Sequence, residues 1–428
     1  MLPLNISMAL RVFVPFAAGY LLSYLFRTIN GPLAERMIAE FRWDAGTLGL
    51  LTSVYFLTFA AFALPLGVLL DRFGPRRVQA VLTVVAAGGA TMFAVGHELT
   101  TLILGRAMIG LGTSGALMAG LKALNLWVPK PRLAAVNGLY VMCGGLGAMA
   151  STTPIGWLIQ AIGWRYTFLV LASATLLVAL AIQLAVPERR SDARLEPWRA
   201  VLSGLWDVYG TAAFWRFAPL SAMTIGTAFG VHGLWAARWM ADVDGMAPPD
   251  VTTDLLAMGA GLTVGAAALG LIAGWLRARG VMSASLFAVA SALFQLTQAL
   301  ILARMSIPVW LIWSCFALFG GMNVLSYSML AELFDQNVIG RANGALNVLH
   351  LGMAFVIQFL IGVVTDLWRP DSQGQYPAGA YQSALAVPLL LQVLALAWFL
   401  FAPRVHARYG AVIRPVGGPE ASQCQGSR

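Results

Sequence analysis

"GVLLDRFGPRR", residues 67–77, joins two long apolar runs through a short polar turn. Leu69 and Leu70 finish the first run, Asp71 closes it, and Arg72, Arg76 and Arg77 precede the second. Gly67 and Gly74 permit close backbone approach and a tight turn. A carboxylate at a helix end is suited to the N-terminus of another helix, where the dipole favours negative charge. The stretch "GRANG" (340–344), which opens a later apolar run, is the natural partner. The alternative is that Asp71 is a solvated loop charge and that Arg72 and its neighbours only anchor the chain at a membrane face.

Working outward, apolar runs of this kind fill the chain. Of its 428 residues 59% are hydrophobic and 11% charged, with mean hydropathy +0.77. A soluble domain carries roughly 25% charged residues, so most of this surface faces something other than water. Twelve runs approach the ~20 residues needed to span a bilayer: about 8–30, 46–70, 77–96, 100–124, 136–160, 165–186, 214–238, 254–276, 282–303, 308–330, 343–367 and 382–402. They are long and unalternating, so helices are expected and a barrel is not. The net charge of +9 does not indicate nucleic acid, because the basic residues sit in short loops between apolar runs. Placing the N-terminus in the cytoplasm puts most Lys and Arg on that side, so both termini are expected there. No basic stretch precedes the first run, so a cleavable signal peptide is not expected. Cys143 and Cys315 lie in apolar runs and Cys424 in the tail, which argues against a disulfide framework.

The polar stretch 186–210 divides the chain, with six runs on each side. The halves echo one another: Asn137-Gly138 precedes Ile155-Gly156 at the spacing by which Asn343-Gly344 precedes Ile361-Gly362. The expected organisation is a six-helix bundle over 1–186, a cytoplasmic loop over 187–213, a second bundle over 214–402 and a cytoplasmic tail over 403–428. Two pseudo-symmetric bundles of this kind are how repeat-built secondary transporters are made.

These residues carry a resemblance. "GVLLDRFGPRR" resembles the loop signature between the second and third helices of the major facilitator superfamily. "LILGRAMIGLG" (102–112) resembles its fourth-helix Arg-x-x-x-Gly-x-Gly pattern, and "GWRYTF" (163–168) opens the sixth span as in many members. The likeness runs over about residues 8 to 402 and implies an all-α polytopic transporter with twelve transmembrane helices. Thr153-Pro154 stands where drug/proton antiporters of the superfamily have Gly-Pro, a departure from multidrug efflux.

Neither a cofactor nor an enzyme is expected. A phosphate-binding Gly-x-x-x-x-Gly-Lys-Ser/Thr is absent from the sequence, so energy should come from a gradient. "GLGTSG" (110–115) matches Gly-x-Gly-x-x-Gly but lies inside an apolar run, where small residues serve helix packing. His97, His232, His350 and His406 are scattered, and no metal-ligand spacing stands out.

"GYLLSYLFRTING" (19–31) places Arg27 in the first span. Tyr20, Tyr24, Arg27 and Gly31 recur at the spacing of one helix face, with Asn30 beside them. A charge at membrane depth should face a water-filled cavity or a partner. A guanidinium suits carboxylate or phosphate. The alternatives are pairing with Glu35 or a carbonyl, or snorkelling. Organophosphate and anion transporters of the superfamily have an arginine in a similar Tyr-x-x-Arg context, so the resemblance implies an anionic solute for Arg27. The second arginine of the organophosphate members is missing from "IGTAFGVHGLW" (225–235), where His232 falls near the equivalent position. His232 is either a titrating partner of the solute or a packed neutral side chain. Arg106 either biases a proton site or binds a carbonyl between helices. Lys122 is a snorkelling anchor or a substrate contact. Asp366 and Glu332, at span ends, are expected to be solvated. The expected partners are a small anionic solute and the lipid bilayer, with a monomer as default.

"SYLFRTIN" and "KALNLWVPKPRLAAVNGL" (122–139) also resemble a bacterial subgroup of the superfamily that includes magnetosome-membrane proteins of MamH type, which implies iron as an alternative cargo. Bare ferrous iron would want carboxylates or imidazoles, which the spans offer sparsely. An anionic chelate would reconcile iron with Arg27. A membrane sensor or assembly partner on the same fold is the reading from another class.

Overall fold

The computed structural model describes residues 6–187, 198–322, 325–371 and 375–402. Every regular element among them is helical. The first span is α1 (Ile6–Thr28) and α2 (Asn30–Phe41), bent by 45° at their junction. α3 (Ala45–Val95) holds the second and third spans, divided at Gly74, whose φ of +81° suits glycine. The fourth is α4 (Leu99–Thr113) with α5 (Ala116–Trp127). α6 (Lys130–Ala150) and the start of α7 (Thr153–Ala185) form the fifth; Gly163, at φ +79°, divides α7 where the sixth begins.

The seventh span is α9 (Ala212–Gly230), a π-helical turn over Val231–Trp235, and α10 (Ala236–Asp242). α11 (Pro248–Ala278) and α12 (Ser283–Leu302) follow. The tenth span is α13 (Val309–Gly321) with α14 (Leu325–Leu333). α15 (Gln336–Thr365) and α16 (Ala378–Phe401) complete the twelve expected spans.

Within the stretch expected as a central loop, α8 (Trp198–Tyr209) is helical. Its apolar residues recur every three or four positions: Leu205 and Val208 are buried, while Trp206 and Asp207 are exposed. The Tyr209 hydroxyl donates to the Ala345 carbonyl of α15 at 3.0 Å. Residues 188–197, with the basic positions expected there, and the tail from 403, with Cys424, lie outside the described residues.

Three apolar clusters give the molecule its shape. One joins Val12, Phe16, Leu66, Leu124 and Tyr140 within the N-terminal half. A second joins Phe214, Phe287, Leu330, Leu346 and Phe399 within the C-terminal half, with Leu64 against its edge. The third runs through both halves, from Phe26, Leu48 and Trp164 to Trp235, Leu351 and Tyr381. The halves thus share a core toward the end that holds Asp366. Toward the end that holds Asp71, Gly67, Gly340 and Gly344 face open space.

The expected packing role of "GLGTSG" is visible here. A side chain on Gly110 would strike the Tyr55 carbonyl, and one on Gly112 the Ala86 amide, so α4 lies on α3 at backbone distance.

Candidate solute site

The first span breaks just after Arg27. A helix end leaves its last carbonyls without intrahelical donors, and here side chains supply them. Arg106 Nη1 donates to the Phe26 carbonyl at 3.3 Å, and Asn30 Nδ2 to the Arg27 carbonyl at 3.4 Å. The other Arg106 terminal nitrogen donates to Asn30 Oδ1. Arg106 is fully buried, with the Tyr55 and Phe93 rings each 5.7 Å away. Of the two readings of Arg106, this geometry has the carbonyl contact between helices. Asn30 has its amide engaged on both sides.

Arg27 is 7% exposed. Its guanidinium carbon lies 4.5 Å from the Tyr24 ring centroid, 5.1 Å from Phe59 and 5.0 Å from Phe229. Phe229 comes from α9, so the cage is built by both halves. Each such contact is worth about 0.5–2 kcal/mol. Among the described residues Arg27 has no carboxylate partner, and its Nε has no hydrogen-bond partner. Glu35, the alternative partner, lies instead on a separate cavity of about 410 Å³ at the Asp366 end, with Arg36, Arg238 and Asp242. Tyr20 stands behind Tyr24, stacked on Tyr140 at 5.0 Å and edge-on to Tyr24 at 5.2 Å.

His232 sits on the π-helical turn, buried, with Nε2 unpartnered. Such turns are frequent at functional sites, and this break in the seventh span faces the break in the first. Gln358 of α15 packs against it: the Trp235 indole donates to the Gln358 carbonyl at 2.9 Å. Gln358 Nε2 in turn donates to Thr52 Oγ1 of α3 at 2.5 Å. Further on, His350 joins three helices, with Nε2 2.8 Å from Ser221 Oγ and Nδ1 3.3 Å from Tyr327 Oη.

Sequence reasoning passed over Phe59, Phe229 and Gln358, and counted His350 only among scattered histidines. A glutamine inside the apolar run 343–367 was a signal in its own right, by the reasoning applied to Arg27. The two phenylalanines carried none, since apolar residues in a span look alike.

At the Asp71 end, Asp71 pairs with Lys122 of α5, and both side chains are partly exposed. The expected partner, the start of α15, does not hold Asp71 in this conformation. Arg72 lies over its neighbour Phe73 at 5.4 Å, and nothing stands within 4 Å of a side chain built on Gly67 or Gly74.

The contact of carboxylate and helix N-terminus occurs at the opposite end instead. Asp366, expected to be solvated, accepts the amides of Ala45 at 2.9 Å and Gly46 at 2.6 Å, and the Tyr376 hydroxyl at 2.5 Å. It therefore caps α3 across the two halves.

Comparison with known proteins agrees with this architecture. A probable sulfoacetate transporter of Cupriavidus necator is 27% identical over 164 residues, 37% of this chain and 36% of that protein. A nitrite extrusion protein of Bacillus subtilis is 24% identical over 219 residues, 51% of this chain and 53% of that protein. The chain thus spans between about a third and a half of the length of these relatives. A crystal structure of a bacterial homologue of the human lysosomal transporter Spinster, inward-facing and unoccupied, superposes with a TM-score of 0.74. It covers 93% of this chain and 97% of its own at 15% identity, a likeness of fold. Residues 16–358, from the first span into the eleventh, match the model of one family, and the chain belongs to the Major Facilitator Superfamily.

Proposed function

We propose that the protein is a secondary transporter that carries a small anionic solute across a bacterial inner membrane by alternating access, driven by a proton or by a second solute. The observation that carries this reading is Arg27: a permanent cation, buried between the two halves, ringed by aromatic faces and, among the described residues, given no carboxylate. A buried charge without a counter-ion is costly. An anion that enters from the open end would relieve that cost, and the rings would exclude water around the pair. The named solutes of the two relatives, sulfoacetate and nitrite, are anions as well.

The positive-inside pattern supports a cytoplasmic position for both termini. On that orientation the Asp366 end faces outward, and the conformation described is open toward the cytoplasm. A bare metal cation is disfavoured by the guanidinium at the centre. Among the described residues, moreover, no three His, Cys, Asp or Glu side chains group as ligands.

The test is uptake into proteoliposomes of a panel containing nitrite, sulfoacetate and small carboxylates, with and without a pH gradient, for the native protein and Arg27→Ala. Anion uptake by the native protein that falls by one to two decades in Arg27→Ala is expected. Equal uptake by a properly inserted Arg27→Ala would refute the reading.

A further inference from the structure

We infer that the cavity at the Asp366 end is a second solute site, separate from Arg27, which binds a small anion together with one proton. The inference rests on the anion reading above and gives the proton a place in it.

The cavity lies between the halves, with walls from α2 and α7 on one side and from α10 and α11 on the other. Its volume of about 410 Å³ suits a small ligand. Gly31 and Ala237 line its base, where the first and seventh spans meet: a Cβ on Gly31 would lie 3.3 Å from the Ala237 Cβ. Four charged side chains line it as well. Glu35 and Arg36 are exposed and mark the mouth. The side chains of Arg238 and Asp242 are only 9% and 1% exposed and mark the interior.

The interior pair is incompletely satisfied. Arg238 Nη2 donates to Asp242 Oδ2 at 2.5 Å, and the Tyr381 hydroxyl of α16 donates to the same oxygen. The Tyr376 amide also faces the carboxylate, yet Asp242 Oδ1 is buried without a hydrogen bond. α2 adds Glu35 and Arg36, while α7 and α11 give the cavity only uncharged side chains. A buried acceptor with no donor is costly, and a proton is the smallest group that relieves it.

With all four side chains ionised, the two acids balance the two arginines. A proton taken from water onto Oδ1 leaves one positive charge in excess. Arg238 then faces a neutral carboxyl, so an incoming anion becomes its counter-ion, and the new O–H can donate to that anion. Without the proton the same anion would meet the Asp242 charge at close range. Proton and anion therefore strengthen each other's binding by the same factor. A cationic solute gains nothing here, since Arg36 and Arg238 repel it.

The experiment is titration calorimetry of nitrite and of sulfoacetate into full-length Arg27→Ala, which lacks the central cation but keeps this cavity intact. Buffers of contrasting ionisation enthalpy count the protons taken up. Uptake of about one proton per anion is expected, with affinity falling about tenfold per pH unit where Asp242 is ionised in the empty protein. Adding Asp242→Asn should abolish both the proton uptake and the pH dependence. Adding Arg238→Gln should weaken binding roughly 10- to 100-fold. If either double variant fails to fold, the proton count on Arg27→Ala decides by itself. Binding without proton uptake, uptake that persists in Asp242→Asn, or no binding of either anion would overturn the inference. None of these outcomes touches the anion reading of Arg27, which stands or falls on transport by the native protein.

Discussion

The Asp366 carboxylate, at the end of α15, accepts the Gly46 amide at 2.6 Å and so binds the first turn of α3 from the other half of the molecule. The carboxylate, the free amides and the dipole of a helix that runs to Gly74 all favour the contact.

Asp366→Ala should therefore loosen this end. A charge on a helix N-terminus is worth roughly 0.3–2 kcal/mol, enough to shift a two-state balance by up to about thirty-fold. Spin labels at Glu98 and Met305, both exposed and on opposite halves, would report it in a background without the native cysteines. A longer, broader distance distribution is expected in Asp366→Ala. An unchanged distribution would assign the seal to the apolar core alone.

Gly46→Ala tests the same contact by sterics. A Cβ there would lie 2.6 Å from Asp366 Oδ2, too close without a shift of one element. The same opening is expected with the charge intact.

Arg27→Lys keeps the charge but loses the fork and the guanidinium's contacts with the Tyr24 and Phe229 rings. It should recover only part of the affinity lost in Arg27→Ala. Full recovery would mean that the site reads charge alone.

Arg106 and Asn30 act as one unit at the break in the first span. Arg106→Gln should lower the melting temperature, since a charged hydrogen bond is worth about 1.5–3 kcal/mol. Combined with Asn30→Ala the losses should be less than additive. Strict additivity in the double-mutant cycle would separate the two roles.

Lys122→Met should leave thermal stability nearly unchanged, because a partly exposed ion pair contributes only about 0–1 kcal/mol. Asp71→Asn should slow transport more than it weakens binding, if Asp71 engages α15 when the open end closes. Equal transport by Asp71→Asn at normal expression would remove that latch.

Hydropathy and turn chemistry were local properties, so the residues themselves determined the twelve spans, the breaks at Gly74 and Gly163 and the unusual position of Arg27. A charge in an apolar run is conspicuous in one dimension because its desolvation cost does not depend on its neighbours. What surrounds it was decided only in three dimensions. Phe59 and Phe229 are separated from Arg27 along the chain and look like any other membrane-facing phenylalanine until packing brings them together. The same holds for the carboxylates. Asp71 and Asp366 read alike as charges at span ends, and the sequence favoured Asp71 as the latch. Asp366 is the one that meets a helix N-terminus, at the end where the two halves share a core. That outcome is decided by contacts between the halves, such as Gln358 with Thr52, whose partners lie 306 positions apart.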